Sequence, residues 1–110
     1  MPSPAIGAEP QVRAFSVAIR DGVVAQSQRN LSVPHQSPVR IEWSADRLMT
    51  VHLEGYNLSV TVRPGAPALM QFKGYATGRF AVHAHDGERG ASSGHAHGRS
   101  VLLRLEVHPL

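Results

Sequence analysis

Apolar and polar residues alternate along most of this 110-residue chain, in short runs that end at glycine, proline or aspartate. Successive side chains of a β-strand point to opposite faces, so the alternation predicts strands with one face buried and the other in water. No window shows convincing helical periodicity. About eight short strands separated by regular turn signals are typical of an all-β, Greek-key sandwich.

The first alternation covers residues 12–19, and Asp21-Gly22 after it predicts a two-residue hairpin turn that returns the chain into Val23-Val24. Further strands are predicted at 39–43, 48–54, 58–63, 68–72, 80–85 and 101–107. The closing strand is marked by the in-phase residues Val101, Leu103, Leu105 and Val107. The same phase argument predicts a core that contains Trp43, Val51, Phe72, Phe80, Val82, Leu103 and Leu105.

The length suits one domain, and we assign residues 11–110 to a single β-sandwich domain. Residues 1–10 contain three prolines and no periodicity, so we expect a flexible N-terminal tail. Hydrophobic residues make up 42% of the chain and charged residues 17%, which is typical of a folded domain rather than a disordered one.

The composition also excludes several classes of partner and site. The net charge is +3, but the arginines that produce it are spread singly, so no nucleic-acid partner is expected. No apolar run approaches the roughly 20 residues that span a bilayer, and the chain begins without the pattern of a secretory signal. The absence of cysteine excludes disulfides, thiolate metal sites and a cysteine nucleophile.

Four of the seven histidines lie between residues 83 and 97. His83 and His85 are two residues apart in a strand pattern, so both imidazoles project from the same face. A second pair, His52 and Glu54, occupies the polar face of an earlier strand. If these two strands are neighbours in one sheet, His52, Glu54, His83 and His85 can converge on one point.

A third pair, His95 and His97, closes the segment 86–99, which contains four glycines and two serines. Histidine and carboxylate ligands without sulfur suit Cu(II), zinc or nickel, and the Irving–Williams order places Cu(II) first. Cu(I) would favour thiolate or thioether ligands, but alternation places Met49 and Met70 with the core. A lone histidine is usually an ordinary surface residue, whereas three such pairs together favour a metal site. The remaining histidines, His35 and His108, are expected to be surface residues.

Several segments together resemble the cupredoxin-like domains over residues 38–108. These are Val-His-Leu-Glu-Gly-Tyr at 51–56, Val-Arg-Pro-Gly at 62–65, Phe72, Gly-Arg-Phe-Ala-Val-His-Ala-His at 78–85 and Leu-Arg-Leu-Glu-Val at 103–107. The chain is most similar to exported bacterial copper-binding members that lack the blue-copper cysteine. The resemblance implies a Greek-key sandwich with a copper site at one end, and a periplasmic or otherwise exported location. It matches His52 and His85 to ligand positions of that family.

The chain also departs from the family pattern. A blue-copper member would carry cysteine near Ala84, so an electron-transferring type 1 copper centre is excluded. Glu54 stands where the relatives carry a second histidine, and His83 stands where they often carry an acidic residue. The resulting candidate metal ligands are His52, Glu54, His83, His85, His95 and His97.

These residues predict a Cu(II)-binding protein for metal carriage, storage or tolerance, whose partners are the metal ion and another copper-handling protein. We do not expect an enzyme, because the chain carries no phosphate-binding loop and no Gly-x-Ser-x-Gly nucleophile motif. Two alternatives remain open from the sequence. One is a metal-free β-sandwich interaction module, and the other is a small metalloenzyme in which histidine ligands activate a bound water. The sequence does not indicate an oligomeric state.

Overall fold

The computed structural model describes residues 11–87 and 100–110, and these residues form eight strands and one short 3-10 helix. The strands are β1 Arg13–Ile19, β2 Asn30–Pro34, β3 Pro38–Ala45, β4 Met49–Leu53, β5 Leu58–Val62, β6 Ala68–Lys73, β7 Gly78–Asp86 and β8 Ser100–His108. The 3-10 helix covers Gln26–Gln28. Within the described part of the chain, no helix is long and apolar enough to cross a membrane. The predicted all-β class is confirmed.

The strands form two sheets, one of three strands in the order β1-β3-β6 and one of five strands in the order β2-β8-β7-β4-β5. The pairs β1/β3 and β2/β8 are parallel, and the other pairs are antiparallel. Strands that follow each other in sequence therefore often lie in different sheets. This topology makes β4 and β7 neighbours near the centre of the five-stranded sheet. The predicted metal site depends on this neighbourhood.

The core lies between the two sheets and follows the predicted alternation. Five of the predicted core residues are fully buried: Trp43, Val51, Val82, Leu103 and Leu105. Phe72 and Phe80 are only partly buried. Both pack against the ring of Tyr56, with ring centroids 5.2 and 5.0 Å from it. They therefore cover one border of the core rather than its centre.

The predicted first hairpin forms only its turn. Asp21 and Gly22 both have positive φ angles, and Arg20 and Val23 exchange backbone hydrogen bonds of 2.8 and 3.1 Å across them. No return strand follows, because the residues after Val24 do not alternate, and the chain crosses to the other sheet. There Leu31 and Val33 of β2 are buried beside β8. This strand was missing from the sequence prediction because its alternation is so short.

Strand β8 contains a β-bulge next to β7. Val82 pairs with Leu103 but His83 pairs with Val101, so Leu102 is an extra residue without a partner on β7. Bulges of this kind bend a strand and shift its phase locally. Leu102 and Leu103 are both buried, while Val101 is 43% exposed. Val101 is in phase with Leu103 in the sequence, yet it lies on the outer face of the sheet.

Candidate metal site

The antiparallel pairing of β4 with β7 sets the positions of the histidines predicted as ligands. His52 lies directly opposite His83, and Thr50 lies opposite His85. Directly opposed residues of an antiparallel pair have Cβ atoms about 4.5–5.5 Å apart. The structure therefore confirms that the two strands are neighbours. It pairs His52 with His83, whereas the family resemblance had matched His52 and His85 to ligand positions.

Glu54 joins this pair from the end of β4. Its backbone N–H donates to the carbonyl of Ala81 at 3.0 Å, which continues the β4–β7 pairing by one residue. Its carboxylate Oε2 lies 2.9 Å from Nε2 of His83. The His83 side chain is 17% exposed and that of Glu54 is 45% exposed. The carboxylate thus contacts a largely buried imidazole from the side of the solvent.

The turn after Glu54 depends on Gly55. This residue has a φ of +87°, in the left-handed region that favours glycine. A Cβ atom at this position would lie 2.4 Å from Cδ1 of Phe80 on β7. The absence of a side chain at Gly55 therefore allows the Phe80 ring to pack against the turn that positions Glu54.

The two opposed imidazoles have different surroundings at their ring nitrogens. Nδ1 of His52 is 2.9 Å from Oγ of Ser59, the residue directly opposite it on β5. Nδ1 of His83 is buried and has no hydrogen-bond partner among residues 11–87 and 100–110. Ser59 was not predicted as part of the site, because alternation assigns it to a polar face but does not give the β4–β5 register.

His85 lies in the next row of the sheet, opposite Thr50. The Thr50 hydroxyl is buried and donates to the carbonyl of Gly87 at 2.7 Å. Residues two apart in a strand are separated by about 6.6 Å along it, so His83 and His85 do not share one point automatically. Across residues 11–87 and 100–110, no three histidine, aspartate or glutamate side chains form a group that could hold a metal ion. The expected convergence of all four predicted strand ligands is therefore not seen there, and His95 and His97 lie outside the described residues.

Ala84 marks the opposite side of the same strand. It is buried and pairs with Val51, which is also buried between the sheets. Ala84, near which a blue-copper member would carry cysteine, thus faces the core, while His83 and His85 face outward. Met49 and Met70 are buried in the core, where alternation placed them. His52, His83 and His85 consequently occupy the outer face of the sheet.

Tyr56 has a structural environment that explains its position after the Glu54 turn. Its hydroxyl donates to the carbonyl of Ala76 at 2.8 Å and accepts from the N–H of Ala76 at 3.0 Å. Burial raises the pKa of Tyr56 above its ordinary value, because the phenolate loses hydration, and the hydrogen bond with Ala76 opposes this effect in part. Tyr56 is thus a packing residue. Asp46 is a turn residue that accepts a hydrogen bond from the N–H of Asp21 at 3.0 Å.

The two remaining histidines lie near each other but apart from this group. The N–H of His35 donates to the carbonyl of His108 at 2.8 Å. Nε2 of His35 lies 3.1 Å from the carbonyl of Tyr75. Both side chains are partly exposed, in agreement with the predicted surface location.

Comparison with known proteins gives matches among solved structures, whereas no family model and no curated protein matches the sequence. One similar chain belongs to a heme-copper terminal oxidase dimer, with 20% identity and a TM-score of 0.63 over 98% of this chain and 79% of that chain. A second is the Cu-containing nitrite reductase from Thermus scotoductus SA-01, with 19% identity and a TM-score of 0.64 over 90% of this chain and 28% of that one.

A third similar chain comes from the mixed disulfide between a thioredoxin-like protein and subunit II of cytochrome c oxidase. It is 14% identical, with a TM-score of 0.57 over 93% of this chain and 84% of that chain. At these identities the likeness concerns the fold, and the chain spans only a minor part of the nitrite reductase. Together with the eight strands and their order in the two sheets, the comparisons show that this chain has the cupredoxin-like β-sandwich fold.

Proposed function

We propose that this protein binds Cu(II) on the outer face of its five-stranded sheet and carries the metal in an exported compartment. The observation that supports this proposal is the direct opposition of His52 and His83 on two paired strands. Imidazole nitrogens suit Cu(II), and two of them held on neighbouring strands form the start of a binding site. The fold shared with copper-containing proteins supports a copper-associated role.

Carriage agrees better with this arrangement than permanent storage or catalysis does. The candidate ligands lie on an outer sheet face, so a partner protein can approach a bound metal without any opening of the core. His85 and the predicted ligands His95 and His97 are further donors for the same metal or for a second one. A site with few protein ligands keeps coordination positions open for exchange.

The proposed partner is another copper-handling protein that delivers or receives the metal. The related subunit II structure was solved as a mixed disulfide with a thioredoxin-like protein. This chain contains no cysteine, so it cannot form such a bond. Contact with a partner would therefore be non-covalent.

The test is a titration of the purified protein with Cu(II), followed by visible absorption and by the melting temperature. We expect a weak d–d absorption without an intense blue band, because that band requires a copper–thiolate bond. Binding to the native state alone adds about 2.7 kcal/mol of stability when free metal is a hundredfold above Kd. His52→Ala should lower the affinity tenfold or more, whereas His108→Ala, at the other end of β8, should leave it unchanged.

A metal-free interaction module is the second candidate, and two observations favour it. The described residues contain no group of three metal ligands. In addition, Tyr75 is 58% exposed although its ring centroid lies 4.7 Å from that of Tyr56, so an aromatic surface is available to a partner. If neither copper, zinc nor nickel raises the melting temperature, the carrier function is excluded and the interaction module takes its place.

A further inference from the structure

The contact between Glu54 and His83 restricts which nitrogen of the imidazole can bind a metal. An ionised carboxylate only accepts hydrogen bonds, so the 2.9 Å contact requires a proton on Nε2 of His83. A neutral imidazole carries one N–H group. Nδ1 of His83 therefore holds a lone pair, and this is the atom that the described residues leave buried without a partner.

The imidazole of His52, opposite His83, makes its hydrogen bond through Nδ1 rather than Nε2. Nδ1 of His52 contacts the Ser59 hydroxyl at 2.9 Å, and a hydroxyl can accept the proton of Nδ1–H. In that tautomer the lone pair of His52 is on Nε2. Because His52 and His83 are directly opposed, the two lone pairs belong to side chains on the same row of the outer sheet face.

We propose that Glu54 fixes His83 as its Nε2–H tautomer, so that a metal binds His83 through Nδ1 and His52 through Nε2. This inference rests on the proposed metal-binding function. It assigns Glu54 a positioning role in place of the ligand role predicted from the sequence. Histidine ligands of metals generally donate their second N–H to a carboxylate, a carbonyl or water, which fixes the ring and raises its basicity. Glu54 is then a positioning residue, and Ser59 has the corresponding role for His52.

The contact distance alone does not separate this arrangement from one in which Glu54 itself binds the metal, because two ligands with bonds of about 2.0–2.1 Å can also lie about 3 Å apart. The substitution of Glu54 separates the two. Glutamine keeps an oxygen that accepts from Nε2–H but is a poor replacement for a carboxylate ligand. Alanine removes both capacities.

The first measurement is the tautomer of His83 in the metal-free protein, read from long-range ¹H–¹⁵N correlations of the imidazole at neutral pH. We expect the Nε2–H form in the wild-type protein and in Glu54→Gln, and a mixture of tautomers in Glu54→Ala. An Nδ1–H form in the wild-type protein overturns the inference. This readout does not depend on metal, so it can fail while the proposed function stands.

The second measurement is Cu(II) affinity by calorimetry, with Zn(II) as the diamagnetic probe that identifies the bound nitrogen by ¹⁵N shifts. Glu54→Ala should weaken Cu(II) binding about tenfold or more, which is the usual effect of losing a group that orients a metal-bound histidine. Glu54→Gln keeps an oxygen that accepts from Nε2–H, so it should weaken binding much less than Glu54→Ala does. Glu106→Gln and Glu106→Ala, on the outer face of β8, are matched controls and should have no effect. Equal losses in the two Glu54 variants, or a Zn(II)-induced shift at Nε2 of His83, overturn the inference. Absence of binding to the wild-type protein overturns the copper function together with the metal part of the inference.

Discussion

Among the described histidines, only His83 combines three properties: it opposes a second histidine, contacts a carboxylate and has a buried nitrogen without a partner in the described part of the chain. His85 lies opposite Thr50 instead. We therefore expect His83→Ala to lower Cu(II) affinity tenfold or more, about 1.4 kcal/mol, and His85→Ala to lower it less. Isothermal titration of the two variants measures this order. The reverse order would restore the pairing of His52 with His85 that the family resemblance implies.

Tyr56 supports the end of the sandwich next to this site. Tyr56→Phe removes the hydroxyl that both donates to and accepts from the backbone of Ala76. Leaving partly buried backbone groups unpaired should lower the free energy of unfolding by about 1–3 kcal/mol. Urea unfolding measures the change. Tyr75→Phe is the matched control, because the Tyr75 ring is exposed, and it should change stability little.

The same residue gives a pH dependence whose sign follows from burial. The pKa of Tyr56 is raised in the folded protein above its ordinary value of 10.0, so the folded state holds the phenolic proton more tightly than the unfolded state does. This contribution to stability is complete below the unfolded pKa and is lost as pH rises through the folded pKa. Wild-type stability should therefore fall more steeply than that of Tyr56→Phe above about pH 10. If the unfolding free energies of the two proteins fall equally with pH in that range, the raised pKa of Tyr56 is contradicted.

At the scale of single elements, the turn between β4 and β5 is constrained by the close approach of Phe80 to Gly55. Gly55→Ala would place a methyl group in contact with Phe80 on a residue whose φ is +87°. We expect a loss of about 1–3 kcal/mol from backbone strain and a further loss of similar size from overpacking. The contact also lies beside Glu54, so the variant should weaken metal binding in the same titration.

Gly65→Ala provides the control for this turn. Gly65 has a φ of +77°, but a Cβ atom there would meet nothing within 4 Å. It therefore shares the backbone strain of Gly55→Ala without the steric contact, and the difference in unfolding free energy measures the contact alone. If the two variants are equally destabilised, packing of Phe80 does not constrain the turn.

The sequence predicted individual strands well and their connections less well, for a physical reason. Alternation depends on which face of a strand is buried, and that face was correct for Trp43, His52 and Val82. Pairing partners depend on contacts between distant segments, so the parallel neighbours β1 and β3 and the return of the chain after Asp21-Gly22 were not predicted. The opposition of His52 to His83 is a matter of register and could not be read from spacing within one strand.

For the molecule as a whole, the sequence identified the sandwich and the outer position of His52, His83 and His85. It could not specify the ligand set, because whether side chains on adjacent rows share one metal depends on sheet geometry and ring orientation. The family resemblance was a useful guide to the fold. The resemblance did not indicate that His83 and His85 would lie on the opposite face of β7 from Ala84. The alternation of side chains along the strand implied this position.

The division of the site between the sheet and the segment that contains His95 and His97 can be tested on the complete chain. Ordering a glycine-rich segment costs conformational entropy, so ligands on paired strands should decide whether metal binds at all. We expect His95→Ala with His97→Ala to keep the fold and the sheet site, and to weaken binding modestly or remove a second, looser site. Circular dichroism and metal titration measure both. If this double variant abolishes binding while His52→Ala leaves it intact, the metal belongs to the 86–99 segment.

The bulge at Leu102 makes the outer face tolerant of length variation in the last strand. Val101 lies opposite His83 because Leu102 is accommodated without a partner on β7. A chain that lacked this one residue would place Val101 in a regular ladder at the same point, still opposite His83. Deletion of Leu102 would therefore leave the same residues of β8 on the outer face of the sheet. The molecule would lose only one buried leucine side chain.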